Sequence, residues 1–159
     1  MIKLLRVDHR LVHGQVAISW TRALGVDCIL VANDAVVADP MRQSMIRMSK
    51  PQGVKIVIKS IEDSIKAINS GVTDKYKLLI VVNCVQDAER LLTGCLSIKE
   101  INLGVMPAKE GTKAISKAIH ANQEDIGCMK RLLENNIKMI IQQVPTESET
   151  IVTNEILDK

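Results

Sequence analysis

The chain has 159 residues, 47% of them hydrophobic, and a formal net charge of +3 from 21 basic and 18 acidic residues. That length suits one domain with a sizeable core, and so small a charge excludes a general nucleic-acid binder. Trp20 and Tyr76 are its only Trp, Tyr or Phe residues, so the core must be aliphatic and there are no aromatic platforms on which single-stranded bases could stack.

In chain order, "IKLLRV" (2–7) is expected as the first strand, and "RVDHRLVHGQV" (6–16) follows from its end. "GQVAISWTRAL" then places Val16, Trp20, Ala23 and Leu24 at helical spacing. "CILVAN" (28–33) is the second strand. Asp39 before Pro40 marks a helix start, an N-cap followed by proline at the first helical position. "VKIVIK" (54–59) is the third strand, and Ser60 with Asp63 three residues on opens the next helix as a near capping box. "KLLIVVN" (77–83) and "EINLGV" (100–105) are the fourth and fifth strands. "GTKAISKAIHANQ" (111–123) fits either a short helix or an edge strand, and the strand is the preferred reading. Asn122 then caps a helix whose apolar face is Ile126, Met129, Leu132 and Leu133, weakened by Gly127. "KMIIQQVP" (138–145) is a late strand ended by Pro145, and "ETIVTNEILDK" (149–159) a C-terminal helix.

Several of these strands are apolar throughout, as strands covered on both faces are. The expected fold is α/β: a single domain over 1–159 with an open, mostly parallel sheet and helices on both faces. Such folds bind ligands beyond the carboxyl ends of the strands. Cys28, Cys84, Cys95 and Cys128 form no C-x-x-C pair and read as free thiols in a reducing compartment. The N-terminus turns charged after two leucines, unlike a signal peptide, and no apolar run nears the roughly 18 residues of a membrane span. A soluble, cytoplasmic protein is expected.

The first 22 residues hold Lys3, Arg6, Arg10 and Arg22 against Asp8 alone. This basic excess surrounds His13, which stands before Gly14 where strand gives way to helix. Free amides at a helix N-terminus attract anions, Gly14 clears the approach, and Arg10 can bring a guanidinium to the same place. The pattern suits a phosphate. Four readings stay open on the residues alone. His13 is only a helix cap; Asp8, His9 and His13 hold a metal in a hydrolase, although "HRLVH" lacks the glutamate of H-E-x-x-H; the helix end senses an anionic ligand; or His13 carries phosphate covalently. No P-loop, dinucleotide fingerprint or serine-hydrolase elbow is present, so a transferred phosphoryl group would come from another phosphorylated molecule.

"RVDHRLVHGQV" resembles the signature of the IIB components of the bacterial sugar phosphotransferase system, in the mannose/fructose/sorbose/N-acetylgalactosamine class. "VANDAVVADPMRQSMIRMSKPQGVKI", "INLGVMPAKEGTKAI", "SKAIHANQEDI" and "QQVPTE" extend the resemblance along the chain. It implies that a IIA protein donates a phosphoryl group to His13, at Nδ1, and that a sugar receives it during uptake through membrane IIC and IID proteins. It further implies that Arg10 and the amides leading into Gly14 hold the phosphoryl group, with Arg6, Asp8 and Gln15 in support. No metal or cofactor is implied, and members of this family can form homodimers. Two positions depart from the pattern: His9, where an acidic residue is common, and Val105, where a glycine or asparagine is. His120 is expected to be structural or exposed.

Overall fold

The computed structural model describes residues 1–159. The elements run β1 (Ile2–Asp8), α1 (Gly14–Leu24), β2 (Cys28–Ala32), α2 (Asp34–Val37), α3 (Pro40–Met48), β3 (Lys55–Lys59), α4 (Ile61–Ser70), β4 (Leu78–Val82) and α5 (Val85–Gly94). They continue with β5 (Glu100–Val105), β6 (Lys113–Ala114), β7 (His120–Ala121), α6 (Gln123–Glu134), β8 (Lys138–Ile141), β9 (Thr150–Ile151) and α7 (Asn154–Asp158). One seven-stranded sheet has the order β3-β2-β4-β1-β5-β8-β9. Every pairing in it is parallel except β8 with β9. This is the expected α/β architecture.

β2 and β4 are buried at every position, because helices cover both sheet faces. Leu5, Val7, Leu30, Ile80 and Val82 pack with α4, α5 and α6. Ile29, Val31, Leu79 and Val81 point the other way, into a smaller cluster with Ala17 and Trp20 of α1, Val36 of α2 and Ile46 of α3. The alternation follows from the two-residue period of a strand. It puts Arg6 and Asp8 on the α1 side. β1 therefore sends its helix to one face while its neighbours β4 and β5 lead to α5 and α6 on the other, and a crevice opens beyond the carboxyl end of β1.

The capping signals hold. Asp39 accepts from Arg42 N with Pro40 in the first turn. Ser60 accepts from Asp63 N. Asn122 and Asp125 complete a reciprocal capping box.

Four details differ from the sequence expectation. The late strand stops at Ile141 rather than Pro145, because the Gln142 side chain turns to donate to the carbonyls of Pro145 and Glu147 and folds the chain over the sheet. The C-terminal helix is only Asn154–Asp158; Thr150 and Ile151 first pair antiparallel with β8. The 111–123 stretch is not an edge strand of the main sheet. It forms the two-residue hairpin β6–β7, tied to the end of β5 through a Met106–Ile119 bridge. Finally, the buried face of α1 is Ala17, Trp20 and Thr21, with Val16 and Leu24 half-buried and Ala23 exposed. Trp20 sets that rotation: its indole Nε1 donates to Gln143 O at 3.0 Å, and its ring lies 5.5 Å from the Arg6 guanidinium carbon.

Candidate functional site

The site is built outward from a buried pair. Arg6 and Asp8 are 2% and 0% exposed. Arg6 Nη2 donates to Asp8 Oδ2 at 3.2 Å, and Nη1 donates to Asn102 Oδ1 at 2.6 Å and to Gln142 O at 3.2 Å. Asn102 Nδ2 donates to the same Gln142 carbonyl. Burial pushes the Arg6 pKa down and Asp8 pulls it back up, yet a guanidinium starts so high that it stays charged. Gly104 explains itself here: a Cβ on it would lie 2.2 Å from the Arg6 guanidinium. A strand glycine often marks such a close approach.

Asp8 joins this buried network to the loop. Its Oδ1 accepts from Arg10 N at 3.0 Å and from Arg10 Nε at 3.4 Å. Asp8 O accepts from Leu11 N, and His9 N donates to Val105 O. Leu11 is then held at φ +61°, an uncommon region for a bulky side chain; burial of that side chain against the α1 face anchors it there. Arg6 thus faces the interior rather than the loop surface, and its influence on the loop runs through Asp8.

The loop delivers His13 to the N-cap position of α1. Its backbone is extended (φ −139°), and its imidazole makes no capping hydrogen bond. The side chain is exposed, so the plain cap reading loses its basis. Gly14 has φ +37° and nothing within 4 Å of where a Cβ would stand; the approach to the first-turn amides is open. Gln15 is exposed on that turn, which carries no acidic residue. His13 and Arg10 line a cavity of about 210 Å³ with Val12, Arg42, Met45, Ile46 and Ser49. Arg10 Nη2 is buried without a hydrogen-bond partner. A larger depression of about 650 Å³ lies at the opposite, amino end of β1, where Ile2, Leu4 and Ile68 line it together with Lys3, Asn69 and Asp74.

His9 is two-fifths exposed, with Nδ1 3.9 Å from Asp8 Oδ1. Partial burial lowers its pKa, and Arg10, Lys109 and His13 add to that against the pull of Asp8. Both Asp8 oxygens are held by arginine donors, which takes the carboxylate away from any metal shared with His9 and His13. His120 is half-buried, 3.4 Å from Met106 O, in the β6–β7 hairpin.

Sequence reasoning gave no role in the site to Arg42, Asn102, Gly104 or Gln142. Arg42 was reachable: Asp39–Pro40 fixes it in the first turn of α3, and right-handed crossovers put α1 and α3 on one face. The other three are polar or glycine breaks in apolar strands, a signal of close approach without a partner attached.

The sequence matches the family described as PTS system sorbose subfamily IIB component over residues 2–159. The chain belongs to this family. Among its relatives in the family, the N-acetylgalactosamine-specific phosphotransferase enzyme IIB component 2 of Escherichia coli K12 is 32% identical over 146 residues, covering 92% of each chain. The PTS system mannose-specific EIIAB component of the same strain is 30% identical over 147 residues; the match covers 92% of this chain but 46% of that one. The chain therefore spans about half the length of the mannose-specific relatives it matches. In structure, the IIBSor domain of the sorbose permease from Klebsiella pneumoniae superposes with a TM-score of 0.92 at 24% identity, covering 99% and 97% of the two chains, which speaks for the fold. A N-acetylgalactosamine IIB component from Streptococcus pyogenes gives 0.87 at 31% identity, covering 99% and 96%.

Proposed function

We propose that this IIB-family chain is a cytoplasmic phosphocarrier. His13 takes a phosphoryl group from a phosphohistidine on a IIA protein and passes it to a hydroxyl of a sugar moved by membrane IIC and IID proteins. One observation carries the reading. An exposed imidazole, unused in capping, shares a cavity with the guanidinium side chains of Arg10 and Arg42.

In the first step a His13 ring nitrogen attacks phosphorus as the donor's P–N bond breaks, and the donor imidazole leaves. In the second the sugar oxygen attacks, the His13 P–N bond breaks, and the hydroxyl proton goes to solvent. Charge on the equatorial oxygens is met by Arg10, Arg42 and the open amides after Gly14, already oriented before the reaction. Asp8 holds Arg10 in place by two hydrogen bonds and is itself held by Arg6. No nucleotide or metal takes part.

Labelled phosphoryl transfer from phosphorylated IIA tests the reading. His13→Ala abolishes acceptance, while His9→Ala and His120→Ala still accept. The bound phosphate is labile in acid and stable in base, as a phosphoramidate is. Arg10→Gln slows transfer by about 10²-fold, the scale for one lost transition-state donor. Label that persists after His13→Ala, or that maps to His9, overturns the assignment; phosphate that binds without covalent attachment points to an anion sensor instead.

A further inference from the structure

Beside the His13 cavity, α3 turns an apolar stripe toward solvent. Met41, Met45 and Met48 stand at i, i+4 and i+7, which puts them on one helix face. They are 75%, 62% and 86% exposed, and Val37 of α2 adds a fourth exposed apolar side chain nearby. The opposite face of α3 is already spoken for: Ile46 is buried in the core, and Gln43 donates to the carbonyls of Val36 and Val37. The stripe therefore plays no part in folding the domain. Exposed apolar surface of this kind marks an interaction site, and methionine suits it because its flexible thioether adapts to an opposing surface.

The stripe is continuous with the reaction site. Met45 lines the same cavity as His13 and Arg10. Arg42 also lines that cavity and Lys50 follows past the helix end, while Arg47 donates to Ile56 O of β3. A protein that reaches His13 by way of this cavity meets α3, whose Arg42, Met45 and Ile46 form one wall of it. The basic groups around the cavity call for an acidic rim on whatever covers the methionines. A second copy would bring the same basic groups against them, and a sugar is too small to span the stripe.

We propose that the Met41–Met45–Met48 stripe is the docking surface for the phosphoryl-donor protein, which meets it with an apolar patch rimmed by carboxylates. This rests on the phosphocarrier reading of His13.

The test uses the double variant Met41→Gln/Met48→Gln, whose two positions lie outside the cavity lining and keep good helix formers. Two donors are compared. Phosphoramidate phosphorylates His13 directly: its P–N bond breaks as the His13 P–N bond forms, and ammonia leaves. Phosphorylated IIA protein must dock first. The expected result is phosphoramidate labelling equal to that of the parent chain, with a second-order rate constant for transfer from IIA lower by about tenfold or more, the loss expected when interface anchors are truncated. An unchanged rate from IIA overturns the proposal, as does a parent chain that dimerises and a variant that does not, or a defect confined to transfer into membranes containing IIC and IID. Failure of both donors to label the parent chain overturns instead the phosphocarrier reading beneath it.

Discussion

On the face of the sheet under α4, α5 and α6, the inward residues of β1, β2 and β4 are Leu5, Val7, Cys28, Leu30, Ala32, Leu78, Ile80 and Val82, part of an apolar cluster of 29 buried residues. On the face under α1 and α3 the apolar cluster has 13, and Arg6, Asp8, Asn102 and Gln142 are buried alongside it. The first face can be filled by any aliphatic set of the right volume. The second cannot, because each polar atom needs its partner in place. A buried ion pair adds little net stability over apolar residues of the same size, so the polar face is a costly way to fill space. What it supplies is position. Asp8 carries the order of the interior out to Arg10, and the loop that ends in His13 starts from that carboxylate.

The largest expected effect breaks the polar face. Arg6→Met leaves the Asp8 carboxylate buried beside a methionine, and about 3–5 kcal/mol of stability should go with the broken pair. Urea unfolding measures it. Arg6→Met/Asp8→Leu removes both charges, so most of that loss should return while phosphoryl acceptance stays low, because Arg10 has lost its anchor. If the double variant regains full transfer, the positioning role of Asp8 is wrong.

The apolar face gives the contrasting result. Leu91→Ala in α5, fully buried among aliphatic neighbours, should cost about 2–5 kcal/mol and leave the transfer rate per folded molecule unchanged. A comparable drop in the rate well below the unfolding transition would mean that the two faces are not separable.

Gly104→Ala is a finer probe, adding one methyl where the Arg6 guanidinium lies. Overpacking of this size costs about 1–3 kcal/mol. In an Arg6→Met background the cost should shrink, since the group in the way is gone. A double-mutant cycle on unfolding free energies reads the coupling, and additive costs would show that Arg6 is not what the glycine accommodates.

The two faces were not equally legible in the sequence. The strands of the apolar face announce themselves as unbroken runs such as "CILVA" and "LLIVV". The loop of the site is legible too, because Asp8, Arg10, His13 and Gly14 fall within seven residues of one another. The polar network is not, since Arg6 meets Asn102 across 96 residues and Gln142 across 136. Nothing in "EINLGV" says which cation its asparagine and glycine serve. The end of β8 misled for a related reason. "IIQQVP" looks like a continuing strand, and only the turn of the Gln142 amide onto Pro145 and Glu147 takes the chain out of the sheet. α2 escaped notice because four residues are too few to establish a helical period.

The smallest expected effect lies where the polar face meets solvent. His9 has its folded-state pKa lowered, chiefly by partial burial and against the pull of Asp8. Above the unfolded value of about 6.5 the ring is neutral in both states, and its contribution to stability is fully present. As pH falls through that value the unfolded chain takes up the proton first, and stability declines until the lower folded pKa has also been passed. The side chain is 40% exposed, so solvent screens much of the effect. His9→Gln should remove this part of the acid-side slope and leave the unfolding free energy flatter just below pH 6.5, with phosphoryl acceptance retained. Urea titrations of the parent and variant at several pH values provide the comparison. Parallel decline of the two curves would mean that the ring feels the interior no more than any surface histidine, and that the reach of the polar face ends at Arg10.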